Sequence, residues 1–309
     1  MRIVKDTNFD FMSKTRFTRF ISIAFLIIGF SSLIINRGPK LSIDFVGGTM
    51  VAVNFTEPVE IDKIRSSLKE INISGQVFDL SKSEIKYFGD QSNISIRLSD
   101  IEDEPERFLQ NLIKKLSEIF PSKVPKDYEN FILSIEKVGP KIGAELSSDA
   151  FMAVFSALAL ILIYISARFE FKYAVGAIIA LAHDILITLG VFSILDYEIS
   201  LAVIAAFLTI VGYSLNDTIV IFDRIRENVK GLKTMPLALV VNQSINESLS
   251  RTIITSLTTF FVVLILYLVG GEVIHTFAFA MIIGVIIGTY SSIFIASPVV
   301  IKMDSRSKK

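Results

Sequence analysis

Long apolar runs dominate the pattern of hydrophobic and polar positions along the chain. A helix needs about 20 mostly apolar residues to cross the hydrocarbon core of a bilayer. Six runs meet this requirement, at about Phe17–Ile35, Ala150–Ala167, Tyr173–Ile194, Ser200–Phe222, Thr252–Val269 and Ile274–Ile301. The pattern therefore predicts an α-helical polytopic membrane protein with six transmembrane helices.

The segment between the first two spans, residues 36–149, has shorter periodicities. Strands are predicted at Gln76–Leu80, Ile85–Phe88, Ile94–Leu98 and Phe131–Val138, with a strand pair or bent strand across Leu41–Phe55. Helical spacing appears at Val59–Ile71 and Glu104–Phe120. An antiparallel sheet with two helices on one face, a ferredoxin-like α+β domain, is the predicted arrangement. The flanking parts are residues 1–35, a five-helix bundle at 150–301 and a tail at 302–309.

Composition agrees with membrane insertion and excludes several kinds of chemistry. Hydrophobic residues make up 51% of the chain and the net charge is +0, so nothing indicates a nucleic-acid partner. The absence of Cys excludes disulfides and Cys-ligated metals, and two His are too few for a His-rich metal site. No cofactor is expected.

The distribution of Lys and Arg predicts the orientation. Basic residues follow the second and fourth spans and flank both termini, as in Arg2, Lys5, Lys14, Arg16, Arg19, Arg168, Lys172, Arg224, Arg226, Lys230, Lys233, Lys302, Arg306, Lys308 and Lys309. The turns after the third and fifth spans, residues 196–199 and 270–273, contain none. The positive-inside rule therefore puts both termini in the cytoplasm and residues 36–149 on the other side.

Polar residues interrupt the fourth span on one helix face. Tyr213, Asn216 and Asp217 recur at three- and four-residue steps. Tyr213 and Asn216 are compatible with a polar seam that joins helices by hydrogen bonds. An aspartate near the bilayer centre costs roughly 2.5 to 3.5 kcal/mol on insertion scales. Asp217 is therefore the stronger candidate for a function.

Neighbouring spans carry further candidates. Arg251 and Thr255 share a face of the fifth span. Arg251 is either a boundary residue that reaches lipid phosphates or an inward partner of Asp217. In the third span, the adjacent His183 and Asp184 are either satisfied core residues or part of a proton route. In the sixth span, small residues recur every fourth position and predict close helix packing, at Ala280, Gly284, Gly288, Ser292 and Ala296.

Five stretches carry a resemblance to a known family. They are IDFVGGT (Ile43–Thr49), VGPKIGAEL (Val138–Leu146), the pair His183-Asp184, GYSLNDTIVIFDRIREN (Gly212–Asn228) and NESLSRTIITSLTT (Asn246–Thr259). Together they resemble the SecF subunits of the bacterial protein translocase, in order and along almost the whole chain. The resemblance implies a bundle similar to resistance-nodulation-division transporters.

The resemblance also implies a function and partners. SecF-like proteins pair with SecD in the bacterial inner membrane and use proton flow, with H⁺ as coupling ion, to assist export of unfolded polypeptides through SecYEG. A small YajC-like subunit is a further expected partner. The family's important Asp and Arg fall on Asp217 and Arg251, with Asn216, Tyr213, Thr255, His183 and Asp184 as supporting residues. The resemblance does not imply an enzyme.

Two other classes of protein remain open on the residues alone. Asp184 and Asp217 on adjacent spans suggest an intramembrane aspartyl protease, in which two carboxylates share a site. Neither lies in a Gly-x-Gly-Asp context, and an Arg partner suits a proton relay better than an acid dyad. The other class is a sensor or scaffold with an external ligand-binding domain, for which Asp217 would be dispensable.

Overall fold

A computed structural model describes residues 7–73, 75–98 and 107–307. The predicted basic residues Arg2, Lys5, Lys308 and Lys309 lie outside these ranges. The α-helices are α1 Thr15–Ile35, α2 Ile43–Val46, α3 Ile61–Ser67, α4 Phe108–Ile119, α5 Pro140–Arg168, α6 Phe171–Ile194, α7 Leu201–Gly231, α8 Leu237–Val269, α9 Glu272–Ser291 and α10 Ser297–Ser307. The strands are β1 Gly48–Asn54, β2 Ile71–Ile73, β3 Gln76–Phe78, β4 Glu84–Phe88, β5 Asp90–Leu98 and β6 Ile132–Val138.

Six helices are long and apolar enough to span a membrane, which confirms the predicted fold class. They are α1 with its preceding turn, α5, α6, α7, α8, and α9 continued into α10 through a π-helical segment at Ser292–Ala296. Apart from residues 140–149 of α5, these helices belong to one compact unit formed by Met1–Lys40 and Ala150–Lys309. A second unit comprises Leu41–Asp149.

Two helices begin well before the apolar runs that predict them. Helix α5 begins at Pro140, although its predicted span begins at Ala150. Proline is favoured in the first helical turn because it has no amide hydrogen to leave unpaired. Helix α8 begins at Leu237, after Pro236, rather than at Thr252. Hydropathy therefore marked only the apolar part of each helix.

The second unit has the ferredoxin-like arrangement. Its four-stranded antiparallel sheet has the order β4-β5-β1-β6, and β2 and β3 form a separate hairpin. Apolar side chains of α3 and α4, such as Ile64 and Leu112, join those of β1 and β5, such as Val51 and Ile96, in one core. Helix α4 covers the described part of the predicted Glu104–Phe120 helix, whose residues before Arg107 lie outside the described ranges.

The prediction of a strand pair across Leu41–Phe55 is wrong in its first half. Ile43–Val46 forms a helical turn, in which the Ser42 hydroxyl accepts a hydrogen bond from the Asp44 amide at 3.2 Å. Gly47 and Gly48 then have φ of 75° and 119°, values that favour glycine. A Cβ at Gly48 would lie 2.6 Å from the Leu98 carbonyl oxygen. The two glycines thus turn the chain into β1.

One carboxylate near this turn has a perturbed pKa. Burial raises the pKa of Glu136 on β6 above its ordinary value, and the neighbouring carboxylate of Asp44 raises it further. The raised pKa favours the protonated form of Glu136 in the folded domain, so its contribution to stability is lost as the pH rises through that pKa.

Glycines allow the central membrane helices to approach closely. The five small residues predicted to form a ridge on α9 and its continuation are all buried. A Cβ at Gly288 would lie 3.0 Å from the Ser214 Cβ of α7. On the other side of the bundle, a Cβ at Gly29 of α1 would lie 2.9 Å from the Gly190 Cα of α6. The ridge therefore packs inside the chain.

We expect Gly288→Leu to lower the yield and thermal midpoint of the purified protein. The added side chain enters the contact with Ser214, and overpacking costs about 1 to 3 kcal/mol. The matched control is Gly231→Leu at the end of α7, where a Cβ would meet nothing within 4 Å. Equal thermal midpoints for the two variants would contradict the close packing.

Candidate functional site

The first polar site surrounds Asp217 of α7. Its side chain is 2% exposed. It accepts hydrogen bonds from two hydroxyls of α8, those of Thr255 at 3.4 Å and Ser256 at 3.3 Å. The Ser256 hydroxyl also hydrogen bonds to that of Thr289 on α9, at 2.7 Å. Both contacts to the carboxylate are long for O–H···O bonds, whose usual range ends near 3.0 Å, so Asp217 is weakly held.

Tyr213 lies one turn before Asp217 on α7. Its hydroxyl lies near the side chains of Ser256, Thr259 and Thr289. The Tyr213 hydroxyl is buried and makes no hydrogen bond to any residue of the described ranges. Buried polar groups normally have a partner, so this hydroxyl gives the site a donor whose hydrogen bond is not fixed.

Arg251 lies on α8 one turn before Thr255, whose hydroxyl is also 3.1 Å from the Arg251 carbonyl oxygen. The Arg251 side chain is exposed. It is near enough to act electrostatically on Asp217, but no ion pair within 4.0 Å joins these two described residues. Asn216, the neighbour of Asp217, is exposed. The structure therefore brings Thr255 and Tyr213 to Asp217 and leaves Arg251 and Asn216 on the outer surface of the chain.

The second polar site is centred on Asp184 of α6, which is 0% exposed. Its Oδ1 accepts a hydrogen bond from His183 Nδ1 at 2.9 Å. Its Oδ2 accepts hydrogen bonds from Ser214 of α7 at 2.5 Å and Ser291 of α9 at 2.8 Å. Asp184 is therefore held firmly by three helices, in contrast to Asp217.

The two carboxylates do not form an acid dyad. Asp184 and Asp217 have separate hydrogen-bond partners, and no described side chain bonds to both. An aspartyl protease requires two carboxylates that share a site and a proton. The geometry does not support the protease interpretation. No group of three or more His, Asp or Glu among the described residues could hold a metal ion.

Sequence reasoning missed the hydroxyl residues that complete both sites. Ser214, Ser256 and Ser291 are small enough to fit an apolar helix, so hydropathy does not mark them. A signal does exist in the sixth span, where the run Thr289–Ser292 places four polar residues together. Thr289 contacts the Asp217 site and Ser291 the Asp184 site. Helix α9 therefore connects the two sites.

Two asparagines in the first half of α8, Asn242 and Asn246, have a structural role. Asn246 Oδ1 accepts a hydrogen bond from the Phe9 amide at 2.9 Å, and its Nδ2 donates to the Phe9 carbonyl at 2.9 Å. Asn242 similarly accepts from the Phe11 amide at 2.8 Å. These side chains fix the segment before α1 on α8, which explains polar residues there without a transport role.

Two family models match the chain. "Protein export membrane protein SecD/SecF, C-terminal" matches residues 121–306 and "SecD/SecF GG Motif" matches residues 32–59. The second range contains the glycine turn before β1. The first contains Asp184, Asp217 and Arg251.

Similar proteins and structures point to the same family. The protein translocase subunits SecF of Calditerrivibrio nitroreducens and Thermodesulfovibrio yellowstonii are 44% and 42% identical, each over 99% of this chain and 98% of the relative. The crystal structure of SecDF from Thermus thermophilus, a translocon-associated membrane protein, is 38% identical with a TM-score of 0.83, over 97% of this chain. A SecDF structure in a super-membrane-facing form has a TM-score of 0.69 and 38% identity, over 100% of this chain.

The chain spans 39% and 40% of those two SecDF chains, but nearly the full length of the SecF relatives. These relatives are named as subunits of a translocase, a transport role, and no enzymatic activity is indicated. The length, the motifs and the six spans agree with one assignment. The chain belongs to the SecF family of protein translocase subunits.

Proposed function

We propose that this chain works with a SecD-like partner to promote export of unfolded polypeptides through a SecYEG translocon, driven by proton flow. Asp217 is the proton carrier. The observation that supports this role is a carboxylate that is 2% exposed and that, among the described residues, is held by two hydroxyls at 3.3 and 3.4 Å. The chain needs no cofactor besides the coupling ion H⁺.

The weak contacts around Asp217 suit a group that changes charge. A carboxylate held by several short hydrogen bonds stays ionised because those bonds favour the charged form. Hydroxyls such as those of Thr255 and Ser256 can donate to a carboxylate or accept from a carboxylic acid. Asp217 can therefore bind or lose a proton without leaving its partners unsatisfied.

Arg251 supplies positive charge to the ionised state. It cannot lose its own proton under these conditions, so it does not carry protons itself. A small movement of α7 against α8 would change its distance to Asp217 and hence the stability of the carboxylate. A membrane potential contributes about 2.3 kcal/mol per charge per 100 mV, which can drive such a movement in repeated cycles.

A partner subunit is expected beside α7 and α8. Asn216 and Arg251 are exposed on this chain, and polar groups that face lipid within a membrane are costly. A SecD-like membrane domain would cover them. Co-purification of the native complex from membranes tests this expectation. Recovery of a second six-span protein supports it, and a chain that purifies alone with full proton conduction contradicts it.

The proposed orientation places both termini in the cytoplasm of a bacterium and the ferredoxin-like domain outside the inner membrane. The chain contains no Cys, so single-cysteine variants report location cleanly. We expect Lys82→Cys, in the domain, to react with a membrane-impermeant maleimide in intact cells. Lys233→Cys, between α7 and α8, should react only after the membrane is opened. The reverse pattern would overturn the orientation and the direction of proton entry.

We expect Arg251→Met to slow export while the complex still assembles. Methionine keeps much of the bulk, but the ionised Asp217 loses its nearby cation, so proton release becomes the slow step. Arg251→Lys is the matched control, because it keeps the charge and should retain part of the activity. The measurement is the export rate of a secreted reporter. Wild-type export by the Met variant would show that Arg251 is only a boundary residue.

A further inference from the structure

In the His183–Asp184 pair, the ring nitrogen Nε2 of His183 takes part in none of the contacts described so far. Asp184 as a carboxylate is only an acceptor, so the contact at 2.9 Å requires the proton of a neutral imidazole to be on Nδ1. His183 Nε2 then carries a lone pair. His183 is 5% exposed, and its Nε2 has no hydrogen-bond partner in the described ranges.

We propose that His183 Nε2 is a second proton-binding site of this chain. Protonation forms one N–H bond at Nε2, with the proton supplied by hydronium, and the Nδ1–H bond to Asp184 is kept. The net charge of the pair changes from −1 to 0. Loss of the proton from Nε2 to water restores the first state.

The hydrogen bonds limit which atoms of the pair can take a proton. Both oxygens of Asp184 already accept bonds, Oδ1 from His183 and Oδ2 from Ser214 and Ser291. Oδ2 already accepts two hydrogen bonds, so a proton there would displace a donor, whereas Oδ1 keeps a second lone pair. A proton at Nε2 breaks no existing contact, and it gives a buried nitrogen without a partner in the described ranges a hydrogen to donate.

The surroundings of the imidazole ring favour proton binding by His183 over a purely structural role. Among the described residues, the titratable groups in contact with His183 are Asp184 on its own helix and Tyr290 on α9, whose ring stacks on the imidazole with a centroid distance of 6.1 Å. The Tyr290 hydroxyl donates to the Thr18 carbonyl of α1 at 2.7 Å and contacts the Ser22 hydroxyl at 2.9 Å. The phenol is thus occupied elsewhere, and an aromatic face stabilises an adjacent cation.

The pair is connected to Asp217 by consecutive residues of α9. Thr289 reaches Asp217 through Ser256, Tyr290 stacks on His183, and Ser291 bonds to Asp184. The π-helical segment begins at the next residue, Ser292, and such segments are frequent at functional sites. A change of charge at His183–Asp184 therefore acts on the helix that also contacts the Asp217 site. This consequence rests on the proposed proton coupling; the protonation of His183 does not.

Nitrogen NMR of ¹⁵N-histidine in the complex tests the site directly. The chain has two histidines, and His275→Gln leaves only His183. We expect a neutral ring with its proton on Nδ1 at high pH and protonation of Nε2 as the pH falls. A ring that stays neutral wherever the complex remains assembled, or a neutral ring protonated on Nε2, would overturn the proposal. In Asp184→Asn, the ring should stay neutral at the pH values at which the wild-type ring carries a proton on both nitrogens.

The variant His183→Asn tests the link to export. Its side-chain amide can still donate to Asp184 but cannot titrate, so assembly should survive while export falls toward its rate without a proton gradient. Export at the wild-type rate with an unchanged pH profile overturns the link. Asp217→Asn, measured in parallel, separates the two ideas. If only Asp217→Asn fails, the proposed function stands without a role for His183, and if neither fails, the proposed function itself is wrong.

Discussion

Asp217→Asn is expected to abolish proton-dependent export while the protein still assembles. Asparagine has nearly the same size, and its amide oxygen can accept from one of the two hydroxyls while its amide nitrogen donates to the other, but it cannot take up and release a proton. Export of a secreted reporter in cells should fall to the level seen without the chain. Asp217→Glu should retain part of the activity, because a titratable carboxyl group remains, although the longer side chain places it differently.

A matched control lies on the same helix. Asp223 is 40% exposed and pairs with Arg168 at 3.4 Å and Arg226 at 3.5 Å. Exposed ion pairs contribute about 0.2 to 1 kcal/mol, so Asp223→Asn should export normally. If Asp217→Asn exports as well as Asp223→Asn with the partner bound, Asp217 is a structural contact. A sensor or scaffold would then be the better interpretation.

Asp184→Ala is expected to have the largest effect on stability. The change leaves His183 Nδ1, the Ser214 hydroxyl and the Ser291 hydroxyl without their common acceptor. Each buried donor that is left unsatisfied costs about 1 to 3 kcal/mol. We expect little folded protein in the membrane and a much lower thermal midpoint in detergent.

The conservative change at the same position should be milder. In Asp184→Asn, the amide oxygen can still accept from Ser214 or Ser291, and His183 can move its proton to Nε2 and accept from the amide nitrogen. Assembly should therefore largely survive. A thermal midpoint for the Ala variant equal to that of the Asn variant would show that Asp184 does not hold α6, α7 and α9 together.

The architecture was largely predictable because two strong sequence patterns, long apolar runs and apolar–polar alternation, determine it. Apolar runs gave the six spans, and alternation in residues 76–98 and 131–138 gave most of the sheet. The error at Leu41–Phe55 arose because Ile43–Val46 is apolar enough for a strand, while a capping Ser42 and the two glycines favour a helical turn. The early start of α5 was missed because its first turns are polar.

The candidate sites were only partly predictable for a related reason. A charged residue in an apolar run is conspicuous, so Asp217, Asp184 and Arg251 could be identified. Serines are nearly neutral in such runs, and which helix face they occupy matters only once the packing is known. Ser256 therefore emerged from the structure alone. Ser291 lies in a polar run of the sixth span, but only the structure shows that it bonds to Asp184, and with it the contrast between a firmly held Asp184 and a weakly held Asp217.

Proton flux through the purified complex tests the role of Asp217 most directly. Vesicles that contain the complex, with a pH-sensitive dye inside, are given an inward proton gradient and a membrane potential. The complex with Asp217 should acidify the interior faster than empty vesicles, and the complex with Asp217→Asn should match the empty ones while Asp223→Asn behaves as the wild type. Equal acidification by the Asp217→Asn complex and the wild type would contradict proton transport by this carboxylate.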